Sequence, residues 1–160
     1  MTRLISFVGT SDSGKTTILT KVIPLLVQRG LRVAVVKHHA HGDFEIDKEG
    51  KDSWKLYRSG ADVIISSPVK MAFIRRAKND SLDFVFERYL DGDYDIVITE
   101  GFSRAGKDRI VVLNDPEKID YFKHGRILAV VCDESVEGYR TFRRDEVEEI
   151  AEFLYKLVKE

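Results

Sequence analysis

Cysteine is almost absent: Cys132 stands alone, so no intrachain disulfide and no cysteine zinc cluster can form within one chain. That usage suits a reducing, cytoplasmic setting. No apolar run approaches the ~20 residues that a membrane helix needs, and the first residues lack the basic, apolar and small-residue order of a signal peptide. A soluble chain with no membrane partner is expected. Neither sign of charge is in excess, since 26 Lys and Arg face 27 Asp and Glu, so nothing global points to a nucleic-acid partner. With 3 Pro and 11 Gly among 160 residues, and 43% hydrophobic residues, collagen-like and disordered architectures are excluded. What remains is one compact domain spanning residues 1–160, with no linker, repeat or low-complexity stretch.

The charges are unevenly spread, about +6 over residues 1–80 and −7 over 81–160, which makes the first half the expected anion binder. Leu4-Ile5-Ser6-Phe7-Val8 reads as a strand buried on both faces. Ile18, Leu19, Val22, Ile23, Leu26 and Val27 then recur at helical spacing, with Pro24 as an expected kink and Gly30 as the stop. Val33-Ala34-Val35-Val36 completes a βαβ unit of a parallel sheet.

Further strands are expected at 63–65, 71–74, 95–99, 110–113 and 127–131, about seven in all. Helices are expected from Ser53 or Trp54 to Ser59, over 82–90 behind Ser81, and at the C-terminus, where Asp145 and Glu148 are spaced like a capping box. The fold class is therefore α/β: a three-layer sandwich around a mostly parallel sheet of about seven strands.

Gly9-Thr10-Ser11-Asp12-Ser13-Gly14-Lys15-Thr16 fits GxxxxGK[ST] at every fixed position and lies between a strand and a helix. This is the phosphate loop of P-loop nucleotide-binding proteins. Main-chain N–H groups, the helix N-terminus and Lys15 can hold polyphosphate oxygens, and the Thr16 hydroxyl suits Mg²⁺. Gly9 and Gly14 are expected to supply the unusual backbone angles of the turn.

Glu100 follows the strand at 95–99, where P-loop proteins place a carboxylate that orients Mg²⁺; Asp95 lies at the far end of that strand. Lys37 ends the second strand and reads either as a γ-phosphate contact or as an exposed edge lysine. The candidate catalytic groups are thus Lys15, Glu100 and Lys37. His38, His39 and His41 share a polar loop with Asp43 and Asp47. The loop reads either as a metal site or as a switch-like segment whose Asp47 or Asp43 completes the Mg²⁺ shell, and Asp47 joins Thr16 and Glu100 as candidate metal ligands. Cys132 reads as core packing, Asp133 lies where some P-loop folds contact a base, and Trp54 and Phe102 read as ligand surfaces or as docked aromatics. Arg75, Arg76, Arg104 and Arg109 are the candidate hydrolysis arginines. The guanine-reading pattern [NT]KxD is absent, so the residues leave the base open.

Four segments in order, Gly9 to Thr17, Lys37 to Asp47, Gly50-Lys51-Asp52-Ser53 and Thr99-Glu100-Gly101-Phe102, resemble the molybdopterin-guanine dinucleotide biosynthesis protein B family over residues 1–113. The resemblance implies a GTP-binding, weakly hydrolysing, often dimeric accessory protein that uses Mg²⁺ and assists the guanylyltransferase acting on molybdopterin. Thr17 joins Gly14, Lys15 and Thr16 as phosphate and Mg²⁺ ligands by the same resemblance, with Asp47, Lys51-Asp52-Ser53 and Glu100-Gly101 lining the site. The histidine cluster departs from the family pattern, because Gly42 intervenes before Asp43. A second reading is an ATP-dependent small-molecule kinase or a ligase similar to dethiobiotin synthetase. It would need a lid, and only residues 38–52 or 101–108 are long enough to supply one.

Overall fold

The computed structural model describes residues 1–160, which separate into two compact units, 1–38 with 82–160 and 39–81. The larger unit is built on β1 (Arg3–Gly9), β2 (Val33–Lys37), β5 (Ile96–Glu100), β6 (Arg109–Val112), β7 (Ile127–Val131) and β8 (Thr141–Phe142). These six pair in the order β2-β5-β1-β6-β7-β8, every pair parallel. Parallel strands need crossovers that cover the faces, which is why the inner strands carry apolar side chains on both sides.

On one face Ile5, Phe7, Ile96, Ile98, Ile110 and Val112 meet Ile18, Leu19, Val22 and Leu26 of α1 (Lys15–Gln28) and Ile150, Ala151 and Leu154 of α4 (Val147–Lys159). The other face packs Val8, Val111, Leu113, Val130 and Cys132 against Phe122 and Val136. Phe122 ends a 3-10 helix, Pro116–Phe122, whose start is capped by the Asp115 carboxylate accepting from the Glu117 N–H at 3.0 Å. Helix α3 (Leu82–Tyr89) leads into β5 and buries Leu82.

The smaller unit holds α2 (Asp52–Arg58) and an antiparallel hairpin of β3 (Val63–Ser66) and β4 (Met71–Ile74), turned by Ser67-Pro68-Val69-Lys70. The count of seven strands in the central sheet is therefore corrected. Two of the seven leave it for the hairpin, and the two-residue β8 joins it.

Three local expectations also change. Helix α1 runs without a break through Pro24. No capping box forms at α4: the helix begins at Val147, one residue later than the Asp145–Glu148 spacing requires, and Glu146 at the N-cap turns its carboxylate back to the Arg143 N–H at 2.7 Å. Gly9 has no positive φ; a β-carbon there would sit 2.1 Å from the Val112 carbonyl oxygen, so glycine is demanded by the close approach of β6.

Leu154 is fully buried between the sheet and α1. Leu154→Ala is expected to destabilise the chain by about 2–5 kcal/mol, read as a lower urea midpoint with an unchanged m-value.

Candidate functional site

β1 delivers the chain to the sheet's carboxyl end, and residues 9–14 turn there before α1 begins at Lys15. The turn uses positive φ at Asp12 (59°) and Gly14 (87°), and the Ser13 N–H closes it onto the Thr10 carbonyl at 3.3 Å. Lys15 folds back over the loop: its ammonium donates to the Thr10 carbonyl at 2.7 Å, and to the Gly9 carbonyl and Ser13 Oγ at 3.2 Å each. Partial burial lowers the Lys15 pKa from its ordinary 10.5, while the carboxylates of Glu100 and Asp12 pull it back up.

Glu100 closes β5 in register with Phe7 of β1 and Lys37 of β2, so these three share one row at the carboxyl edge. The Thr16 hydroxyl, on the first turn of α1, donates to Glu100 Oε1 at 2.8 Å. Two neighbouring oxygen ligands of an octahedral Mg²⁺ with 2.0–2.1 Å bonds lie ~2.9 Å apart, so this hard-oxygen pair fits that ion. Lys37 is exposed beside them. Asp95, at the opposite end of β5, accepts from the Arg32 N–H at 2.7 Å and from its guanidinium, which holds the Asp95 carboxyl below the ordinary range.

The chain leaves Glu100 through two positive-φ residues, Gly101 (96°) and Phe102 (53°). A β-carbon on Gly101 would meet that of His38 at 3.0 Å, and the His38 and Phe102 rings lie 4.4 Å apart. Phe102 is thus docked on His38. The tight Glu-Gly turn is further anchored by Arg109, which is fully buried and donates to the carbonyls of Ser103 at 2.8 Å, Phe122 at 3.0 Å and Lys107 at 3.2 Å. Buried in this way, Arg109 drops out as a hydrolysis arginine. Cys132 is buried in the core, as its apolar strand implied.

His39, His41, Asp43, Asp47 and Trp54 belong to the smaller unit. The His39 and His41 rings stand edge-on at 6.1 Å, and nowhere do three or more His, Cys, Asp or Glu side chains converge as a metal cluster. Asp47 is distinctive. Its Oδ1 accepts from the Lys48 N–H at 2.8 Å, while its Oδ2 is buried with no hydrogen-bond donor. A buried carboxylate oxygen without a donor is suited to a cation or water. Trp54 lies under the Arg58 guanidinium at 5.6 Å.

Sequence reasoning missed Arg144 altogether. It follows β8, yet its guanidinium reaches the Ser13 carbonyl of the phosphate loop, the Leu113 carbonyl and Asn114 Oδ1 at the end of β6, and Asp133 Oδ2 at the end of β7. No local signal marks it, because its partners lie 11 to 131 positions away.

Lys15 carries a lowered pKa in the folded chain, so the folded state binds fewer protons than the unfolded one between that value and 10.5, and stability rises with pH through this window. Glu100→Gln removes an attraction for the ammonium and is expected to lower the Lys15 pKa further. A ¹³Cε titration of Lys15 in both proteins checks this; an unchanged midpoint would show that Glu100 does not act on the ammonium.

A family profile described as molybdopterin guanine dinucleotide synthesis protein B matches residues 4–133. Over 160 aligned residues the chain is 34% identical to the molybdopterin-guanine dinucleotide biosynthesis adapter protein of Haemophilus influenzae, covering 94% of this chain and 86% of that protein. It is also 34% identical over 142 residues to the adapter protein of Escherichia coli, covering 83% and 79% of the two chains. The crystal structure of a molybdopterin-guanine biosynthesis protein B superposes with a TM-score of 0.87 at 60% identity, covering 98% of this chain and 99% of that one. With the profile matching most of the chain and a relative 34% identical over nearly all of it, the chain belongs to the molybdopterin guanine dinucleotide synthesis protein B family.

Proposed function

We propose that this protein is a GTP-binding, slowly hydrolysing adapter in the making of molybdopterin guanine dinucleotide, assisting the guanylyltransferase that works on molybdopterin. The observation that carries the nucleotide part is the 2.8 Å pairing of Thr16 with Glu100 directly behind a complete phosphate loop. Residues 9–17 hold the phosphates, Lys15 neutralises the β- and γ-oxygens, and Lys37 reaches the γ end from the neighbouring strand. Thr16 and Glu100 would hold Mg²⁺, which would supply charge neutralisation at the phosphates. Residues 1–160 act as one nucleotide-binding domain.

Slow turnover follows from the arginines available. Arg109 is buried, Arg75 pairs with Asp62 at 3.7 Å, and Arg76 donates to the Tyr57 carbonyl at 2.7 Å. Arg104 is exposed and held by no other side chain, so none of the four candidate arginines is fixed for catalysis, and P-loop hydrolysis without an ordered arginine is slow.

The adapter role rests on kinship with proteins that carry that description. A homodimer is supported by the hairpin, which leaves Ile64, Met71 and Phe73 at 60%, 71% and 50% exposure. A two-stranded sheet with apolar faces in water is marginal on its own, and a second copy would cover it.

Calorimetric titration with GTP and then ATP, each with Mg²⁺, tests the reading. GTP is expected to bind more tightly, and Lys15→Ala to abolish triphosphate binding while leaving the circular dichroism of the fold intact. Equal or stronger ATP binding would overturn the GTP assignment and direct the search to phosphoryl acceptors.

A further inference from the structure

We propose that Arg144 is a positioning residue of the phosphate site, acting through the Ser13–Gly14 peptide. The inference rests on the nucleotide reading above and concerns a residue beyond the 4–133 span that the family profile matches.

Inside a phosphate loop the amide N–H groups turn toward the anion, so the carbonyls of the same peptides point outward and need donors of their own. Arg144 supplies one. Its Nη1 donates to the Ser13 carbonyl, and that peptide is trans, so the Gly14 N–H points the opposite way, into the loop. A cation on the carbonyl oxygen polarises the whole amide and makes the Gly14 N–H a stronger donor. It also fixes the plane of the Ser13–Gly14 peptide where the backbone turns to a φ of 87° at Gly14.

The guanidinium is itself immobilised. Nη2 donates to the Leu113 carbonyl at 2.5 Å and to Asn114 Oδ1 at 2.6 Å, Nε donates to Asp133 Oδ2 at 3.2 Å, and the Arg144 N–H reaches Asp133 Oδ1 at 3.4 Å. The loop is thereby tied to the carboxyl ends of β6 and β7. Arg144 also walls a recess of about 150 Å³ with Gly14, Thr17, Ile18 and Lys21 on the first turns of α1.

Asp133 offsets the charge of Arg144, so its contribution to the site is orientation and polarisation more than net positive charge. That predicts a failure of the usual conservative replacement. A lysine carries the same charge but presents one point of donation and cannot span Ser13, Leu113 and Asp133 together.

The test compares the unmodified chain, Arg144→Gln and Arg144→Lys for GTP binding with Mg²⁺ by calorimetry, and follows the Gly14 amide proton by NMR. Both variants are expected to bind GTP about tenfold more weakly and to move the Gly14 amide upfield. A folded variant that binds as tightly as the unmodified chain overturns the proposal. So does lost affinity with the Gly14 resonance unmoved, because the loss would then come by another route. Should neither variant fold, the unmodified chain decides: GTP must shift the Arg144 Nε–H resonance, and a resonance that stays put overturns the proposal. An unmodified chain that binds neither GTP nor ATP defeats the nucleotide reading itself, which separates the two failures.

Discussion

Every feature of the candidate site descends from the placement of β1 between β5 and β6 in an all-parallel sheet. Parallel pairing brings the carboxyl ends of neighbouring strands to one edge, and hydrogen-bond register sets which residues share a level there. With Phe7, Lys37 and Glu100 in one row, the carboxylate sits where the first turn of α1 meets it. A shift of one residue would send Glu100 to the opposite face and part it from Thr16. The apolar burial that locks this register, Ile5 and Phe7 against Ile98 and the α1 helix, is thus what fixes the spacing of the polar pair.

Beneath that edge runs a polar level inside the core. The Thr99 hydroxyl donates to Ser6 Oγ at 2.9 Å with both groups buried, and Arg109 lies in register with Ser6 on the other neighbouring strand. Arg109 has no carboxylate partner; two carbonyl oxygens of the loop between β5 and β6 and that of Phe122 at the end of the 3-10 helix accept its hydrogen bonds, and burial lowers its pKa. Gly125 is required beside it, since a β-carbon there would meet the guanidinium at 2.9 Å and the Lys107 carbonyl at 2.3 Å. The loop after Glu100 is shaped from below as well as by its own two positive-φ residues.

The parts of the site that the sequence disclosed are those encoded locally. A phosphate loop is eight consecutive residues between a strand and a helix, and Glu100 follows an unbroken apolar run, so both are read from short windows. The hairpin of residues 63–74 was misassigned because a short apolar run looks alike in a central sheet and in an exposed ribbon; only its partners differ. The α4 start shifted because its N-cap chemistry runs backward from Glu146 to Arg143 and not forward to Glu148. Arg144 was invisible because it joins the phosphate loop to two strand ends that only the finished fold brings together.

Gly9 and Gly14 occupy equivalent places in the motif but answer to different constraints. Gly14 is held to its conformation by the turn, with nothing but the tip of Arg144 close to it. Gly9 is pressed against the backbone of β6, so any side chain would pry two central strands apart. In evolutionary terms the two should therefore part company. A descendant that abandoned its ligand would be free to drift at Lys15, and at Gly14 toward the residues that tolerate a left-handed backbone, yet would go on keeping Gly9 for the sake of the sheet. The first glycine records the architecture, and only the later residues of the loop record the chemistry.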